Sequence, residues 1–218
     1  MTGSAFIYGR RPVAEAERGR RRVRRKWTTA DTDAAELTRL AGSPDHQGVV
    51  AEVDPYPYAD PGALARAPNS LVVALDQVQD PHNLGAVCRS AEVAGVDGVV
   101  IPERRAVGVT AAVAKASAGA VEHLEIARVR NLADWLGEAR DAGAWIYGAD
   151  ATGETPYGGA DLTGKVVLVL GSEGRGLRPR VAAACDLLIS IPVQGRVGSL
   201  NVSAAAAVLL FEARRQRS

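Results

Sequence analysis

A chain of 218 residues, 47% of them apolar, is long enough to bury a core, but with only 5% aromatics Val, Ala and Leu must build it. No apolar run reaches membrane-spanning length, no secretory signal follows Met1, and the two cysteines, Cys88 and Cys185, lack metal-ligand spacing. A membrane span, a disulfide framework and a zinc site are therefore excluded as expectations, and a reducing cytoplasm fits.

The net charge is only +1, but it is unevenly spread. Residues 1–54 read as a small mixed α/β unit, with a helix expected over 33–41 and a strand over 49–53. In it Arg10, Arg11, Arg18, Arg20, Arg21, Arg22, Arg24, Arg25 and Lys26 face only Glu15 and Glu17. Such a block is either a solvated arm or an attractor of phosphate backbones. Trp27, able to stack on a base, favours RNA as the partner of Arg20, Arg21, Arg22, Arg24 and Arg25. Residues 55–70 hold four prolines and read as a linker or an extended crossing segment.

From Leu71 strands and helices alternate. LVVALD (71–76) is a strand, and a helix over 83–94 stops at Gly95. GVVI (98–101) is a strand, Thr110 caps an Ala-rich helix, and LEIARV (124–129) is a strand. Asn131 caps a helix ending near Gly143, and 144–149, 166–170 and 187–193 are further strands. A short helix follows Pro179, and the last helix covers 201–215. Wholly apolar strands alternating with helices predict an α/β fold over 71–218: a parallel sheet with helices on both faces.

Three stretches carry more polar chemistry than folding requires. In DQVQDPHNLGAVCRSAEVAG (76–95), Asn83 and Arg89 lie in one strand-to-helix turn beside the small residues Gly85 and Ala86. Asn83 alone could be a helix cap and Arg89 alone a surface charge; together they make a polar site. In LVLGSEGRGL (168–177), glycines at 171, 174 and 176 let backbone approach a ligand. Their spacing is not that of a dinucleotide fold, and Gln194 and Gly195 stand where the next strand would need an acid for a ribose diol. Glu173 either serves the site or complements a helix N-terminus. In ISIPVQGRVGSLNVSAAAAVLLFEARRQR (189–217), Ser199, Asn201 and Ser203 cluster at a helix start, more than one cap needs.

In order and separation these stretches resemble the three motifs of the SpoU/TrmH-type RNA 2′-O-ribose methyltransferases of the SPOUT class, over roughly 71–217. The third is most similar to the branch methylating a guanosine of 23S ribosomal RNA. The resemblance implies a C-terminal trefoil knot and a homodimer, an assembly that the apolar stripe Val202, Ala205, Ala206 and Leu209 also suggests. It implies S-adenosyl-L-methionine as cofactor, held by main chain at Gly171, Ile191 and Leu200, and no metal, because a sulfonium is already an electrophile. Asn83, Arg89, Glu173, Ser199 and Asn201 match the catalytic set, and His82 a position near RNA. An arginine stays protonated, so Arg89 is better suited to stabilising an alkoxide than to acting as a literal base. The front resembles the family's ribosomal-protein-like RNA-binding domain, with FIYGRRPVAEA as its opening helix and DHQGVVAEV as its closing strand. That domain reads as shortened, because ELTRL (36–40) follows RVRRKW (22–27) where members carry another helix and strand. Alternatives are a transfer-RNA 2′-O-methyltransferase, a ribosomal-RNA resistance methylase, a non-catalytic RNA-binding protein and a small-molecule α/β enzyme.

Overall fold

The structure, a computed structural model, describes residues 4–172, 174 and 176–218. It opens with β1 (Ala5–Tyr8), α1 (Arg10–Arg18), β2 (Val23–Thr28), α2 (Ala34–Ala41) and β3 (Val49–Val53). The three strands pair antiparallel in the order β1-β3-β2. The expected opening helix is thus a strand and then a helix: Gly9, at φ +99, turns the chain from one into the other. RVRRKW, assigned no element from sequence, forms most of the edge strand β2. The helix over 34–41 starts where expected, with Asp33 accepting the Glu36 N–H. Strand alternation sends Ile7, Ala51 and Val53 into the main core, while Val50 faces the other way, toward α2 and its buried Leu37.

The proline-rich stretch 55–70 crosses the larger domain and packs against it. It contains α3 (Pro61–Arg66), whose Leu64 and Ala65 are buried. The Tyr56 hydroxyl donates to the Val121 and Leu124 carbonyls at 2.8 and 2.9 Å, and Trp135 Nε1 donates to the Pro61 carbonyl at 2.8 Å. Proline fixes an extended path, and the aromatic side chains between the prolines fasten that path to the larger domain.

That domain follows in the order β4 (Leu71–Asp76), α4 (Pro81–Ala94), β5 (Gly98–Pro102), α5 (Ala111–Ala116), β6 (Ile126–Val129) and α6 (Leu132–Asp141). It continues with β7 (Trp145–Ala149), β8 (Thr155–Pro156), β9 (Val166–Gly171), α7 (Pro179–Ala182), β10 (Leu187–Ser190) and α8 (Val202–Gln216). The seven strands lie in the order β6-β5-β4-β9-β7-β10-β8, and every pair is parallel. Period-two alternation divides the core. Leu71, Val73, Leu75, Leu168 and Leu170 pack with α4, α5 and α8, while Val72, Ala74, Val167 and Val169 pack with α3, α6 and α7. Helices on both faces explain why β4 is buried along its whole length and carries no polar residue before Asp76. The stripe Val202, Ala206 and Leu209 belongs to this core, so it is not an exposed dimer seam; among the large apolar residues of α8, Phe211 is the exposed one, at 50%.

The N-terminal unit is docked on the larger domain by charge as well as by packing. Glu122 is fully buried, and both its oxygens accept from the Arg21 guanidinium, itself 5% exposed. Arg20 donates to the Leu124 carbonyl at 3.2 Å and pairs with Glu125 at 2.8 Å. Removing one member of a buried pair strands the other's charge, at a cost of about 3–5 kcal/mol. Glu122→Ala should therefore lower the thermal midpoint by roughly 10 °C in a melt of the full chain. The double change Arg21→Met with Glu122→Leu should recover most of that loss, and an unshifted midpoint in the single variant would show that the pair carries no such weight.

Candidate active site

Because the sheet is parallel, the carboxyl ends of β4, β9, β7 and β10 open at one edge, where doubly wound folds bind ligands. A cavity of about 310 Å³ lies there, within the range that holds small ligands. Its lining includes Asp150, Gly171, Ser172, Ile191, Ser199 and Leu200. A second cavity of about 310 Å³ adjoins it, lined by Gln77, Asp80 and Asn83 and sharing Ser172 and Val202 with the first.

The glycine-rich turn after β9 folds back on its own strand. Gly176 N donates to the Ser172 carbonyl at 3.0 Å, and a Cβ on Gly171 would lie 2.2 Å from the Gly176 carbonyl carbon. No other residue fits at 171 without opening the turn. Asp76, at the end of β4 and 1% exposed, clamps the turn's far side. Its carboxylate accepts from Arg178 N at 2.9 Å and Arg178 Nε at 2.7 Å.

The first and third motifs meet directly: Asn201 Nδ2 donates to Asn83 Oδ1 at 3.0 Å. Asn83 is not the cap of α4, because Asp80 caps that helix through the His82 N–H and Pro81 opens it. Asn201 does both jobs, capping α8 through Ser203 N at 2.8 Å while reaching Asn83. Ser199, Leu200, Ile191 and Gly171 all line the larger cavity. His82 is exposed on the first turn of α4. Arg89 is exposed too, about 10.5 Å further along that helix, and lines neither cavity. Seven residues make two helical turns, so His82 and Arg89 share one face of α4. Glu173 lies outside the described residues.

The arginine run splits. Arg21 is a correction to the sequence expectation: its guanidinium is enclosed with Glu122, so RNA cannot reach it. Arg20 and Arg24 are paired with Glu125 and Asp54, while Arg22 is exposed and Arg25 lies 4.7 Å from the Trp27 ring centroid. Asp76 and Asp150 were missed from sequence. Asp150 follows β7, which lies beside β9 in the sheet although it precedes it in the chain. The acid at this edge thus comes from a strand adjacent in space and not from the next strand in sequence. The signal was present: both residues sit directly after wholly apolar runs, LVVAL and AWIYGA.

Burial pushes the Cys88 and Cys185 thiols up to about 12, so neither is a nucleophile near neutrality. Among the described residues there is no His, Cys, Asp and Glu grouping able to hold a metal ion, and no helix is long and apolar enough to cross a membrane. Asp76→Asn should weaken the clamp on the turn after β9. Hydrogen exchange at 172–178 should then rise at least about tenfold while β4 and β9 stay protected, which corresponds to the loss of one charge-assisted hydrogen bond.

The profile of the SpoU rRNA Methylase family matches residues 70–211. The chain is 38% identical over 239 aligned positions to YacO of Bacillus subtilis, which carries the name TrmH family tRNA/rRNA methyltransferase, covering 98% of this chain and 96% of that one. The crystal structure of an AdoMet-bound rRNA methyltransferase from Sinorhizobium meliloti superposes with a TM-score of 0.85 at 27% identity, covering 97% of this chain and 87% of that one. That of an RNA 2′-O ribose methyltransferase superposes at 0.82 with 25% identity, covering 99% and 89%. The cavity's apolar walls, tight glycine turn and Asp150 carboxylate suit an adenosyl group. The chain belongs to the SpoU family and is an S-adenosylmethionine-dependent RNA methyltransferase.

Proposed function

We propose that this chain methylates the 2′-hydroxyl of a ribose in RNA, and that its target is a guanosine of 23S ribosomal RNA. One observation carries the reading: two cavities share the wall made by Ser172 and Val202, with the Asn83–Asn201 contact beside it. One cavity would take the cofactor and the other the target nucleotide. The likeness to an RNA 2′-O ribose methyltransferase supports the hydroxyl as acceptor, and the SpoU rRNA family profile supports ribosomal RNA. A transfer-RNA target is the second reading, favoured by the tRNA/rRNA name that YacO carries.

When bound, S-adenosylmethionine supplies a methyl group on a sulfonium, which no metal needs to activate. The protein's task is to align a weak nucleophile and to hold the charge it develops. Asn83, fixed by Asn201, would orient the ribose, and Ser199 would hold the loop that closes the cofactor cavity. Gly171, Ile191 and Leu200 would present main chain to the cofactor, and Glu173 belongs to the proposed catalytic set. The shared face of His82 and Arg89 would carry the RNA strand, with Arg89 gripping the phosphate next to the target ribose and stabilising the alkoxide. The reading includes a trefoil knot, supported by the placing of β9 between the earlier strands β4 and β7. It includes an RNA-binding role for the N-terminal unit and action in the cytoplasm.

It also includes a homodimer. Exposed Val93, Val193, Val197, Leu200 and Phe211 on α4, α8 and the loop between β10 and α8 support that assembly. Light scattering of the purified chain at micromolar concentration should give twice the chain mass. A monomer would remove this part of the reading.

Arg89→Ala should lower single-turnover methylation of ribosomal RNA by roughly two orders of magnitude or more, and Arg89→Lys should recover little of it, because a point charge cannot replace a planar fork. Calorimetry should show one S-adenosylmethionine site per chain with unchanged affinity in both variants. The methylated nucleotide should resist alkaline cleavage. Near wild-type turnover by Arg89→Ala would remove Arg89 from the mechanism, and a base-methylated product would remove the ribose.

A further inference from the structure

A cavity of about 660 Å³ lies on the seam between the N-terminal unit and the larger domain. Arg10, Arg11 and Gln47 line it from one side and Lys115 of α5 from the other, and no carboxylate belongs to its lining. We propose that this cleft binds the sugar-phosphate backbone of the RNA substrate, a proposal that rests on the RNA methyltransferase activity described above.

Three observations carry it. The first is charge. Arg20, Arg21 and Arg24 of the arginine run are each paired with an acid, whereas Arg11 is exposed and makes no hydrogen bond or ion pair among the described residues. Arg10 is held at the mouth by Gln47, its Nε donating to the Gln47 carbonyl at 3.4 Å. Lys115 Nζ donates to the Asp45 carbonyl at 3.0 Å, and the first turn of α1 holds no acidic residue. The cleft thus keeps a surplus of positive charge that the paired part of the run has lost.

The second is construction. A Cβ on Gly9 would lie 2.7 Å from Lys115 Nζ, so the glycine at the start of α1 lets the lysine of the larger domain enter beside the two arginines. The cations come from two units whose relative position is fixed by the buried Arg21–Glu122 pair. The third is continuity with the active site. Ala116, the neighbour of Lys115, abuts Gly85 of α4, where a Cβ would lie 2.5 Å from the Ala116 Cβ. Gly85 is two residues past Asn83. The helix that carries Lys115 is thus packed on the helix that carries Asn83, which fixes the cleft relative to the target pocket. Cations that neutralise phosphates release condensed counterions, which makes the proposal measurable.

The test is binding of fluorescein-labelled bulk tRNA and of a 23S rRNA transcript to the full chain across 50–300 mM KCl, with calorimetric S-adenosylmethionine affinity as the control for folding. Arg10→Gln, Arg11→Gln and Lys115→Gln together should weaken RNA binding at least about tenfold and flatten the log–log salt slope by about two to three, with cofactor affinity unchanged. Arg11→Glu alone breaks no hydrogen bond or ion pair among the described residues, and should flatten the slope by about one even if the triple variant folds poorly. Arg22→Gln with Arg25→Gln should change the slope less than the triple variant. An unchanged slope in Arg11→Glu, or a larger effect from the Arg22 and Arg25 pair, would overturn the cleft while leaving the methyltransferase reading intact. A wild-type chain that binds cofactor but neither RNA would overturn both.

Discussion

Strand order governs the rest of this structure. β9 forms late in the chain yet lies between β4 and β7, and all its neighbours run parallel to it. Parallel strands covered by helices on both faces must be apolar along their length, so polar side chains begin where the strands stop. Asp76, Asp150 and Ser172 are all such residues. With every carboxyl end at one edge, stretches separated by about a hundred residues are pressed into one place. Asn83 and Asn201, 118 residues apart, are in hydrogen-bond contact for this reason.

The edge also has to hold irregular backbone in a fixed shape. The turn after β9 is so tight that Gly171 and Gly176 approach within the space of a single Cβ, and it ends on a guanidinium fixed by the buried Asp76 carboxylate. Glycine alone would allow this path but would not select it, because its freedom is lost on folding. The ion pair supplies the selection. The larger cavity is formed by the turn and by the loop leading to α8, so both of its boundaries depend on contacts made outside it.

The N-terminal unit follows a different logic. Its sheet buries Ile7, Ala51 and Val53 in the same core as the catalytic domain, and Arg21 with Glu122 closes the seam. A buried pair is rarely a large source of stability, but it tolerates only one alignment of its partners. Two units held in register can share a surface, and the basic cleft is such a surface, with cations from each side.

The sequence by itself determined the alternation of strands and helices, because burial on two faces requires unbroken apolar strands. It also determined local stops: Thr110 and Asn131 cap helices through the Val113 and Ala133 N–H groups, and Gly95 ends α4 in the left-handed region. Gly171, Ile191, Ser199 and Leu200, picked out by the resemblance of the motifs, all line the larger cavity. Tertiary structure alone decided the fate of the arginines, since a charge pattern gives sign but not partner, and Glu122 lies 101 residues from Arg21. It alone showed how 55–70 is packed, because hydrogen bonds from Tyr56 and Trp135 leave no periodicity in the chain. It alone brought Asp150 to the cavity, because adjacency in a parallel sheet is set by crossover connections and not by order along the chain.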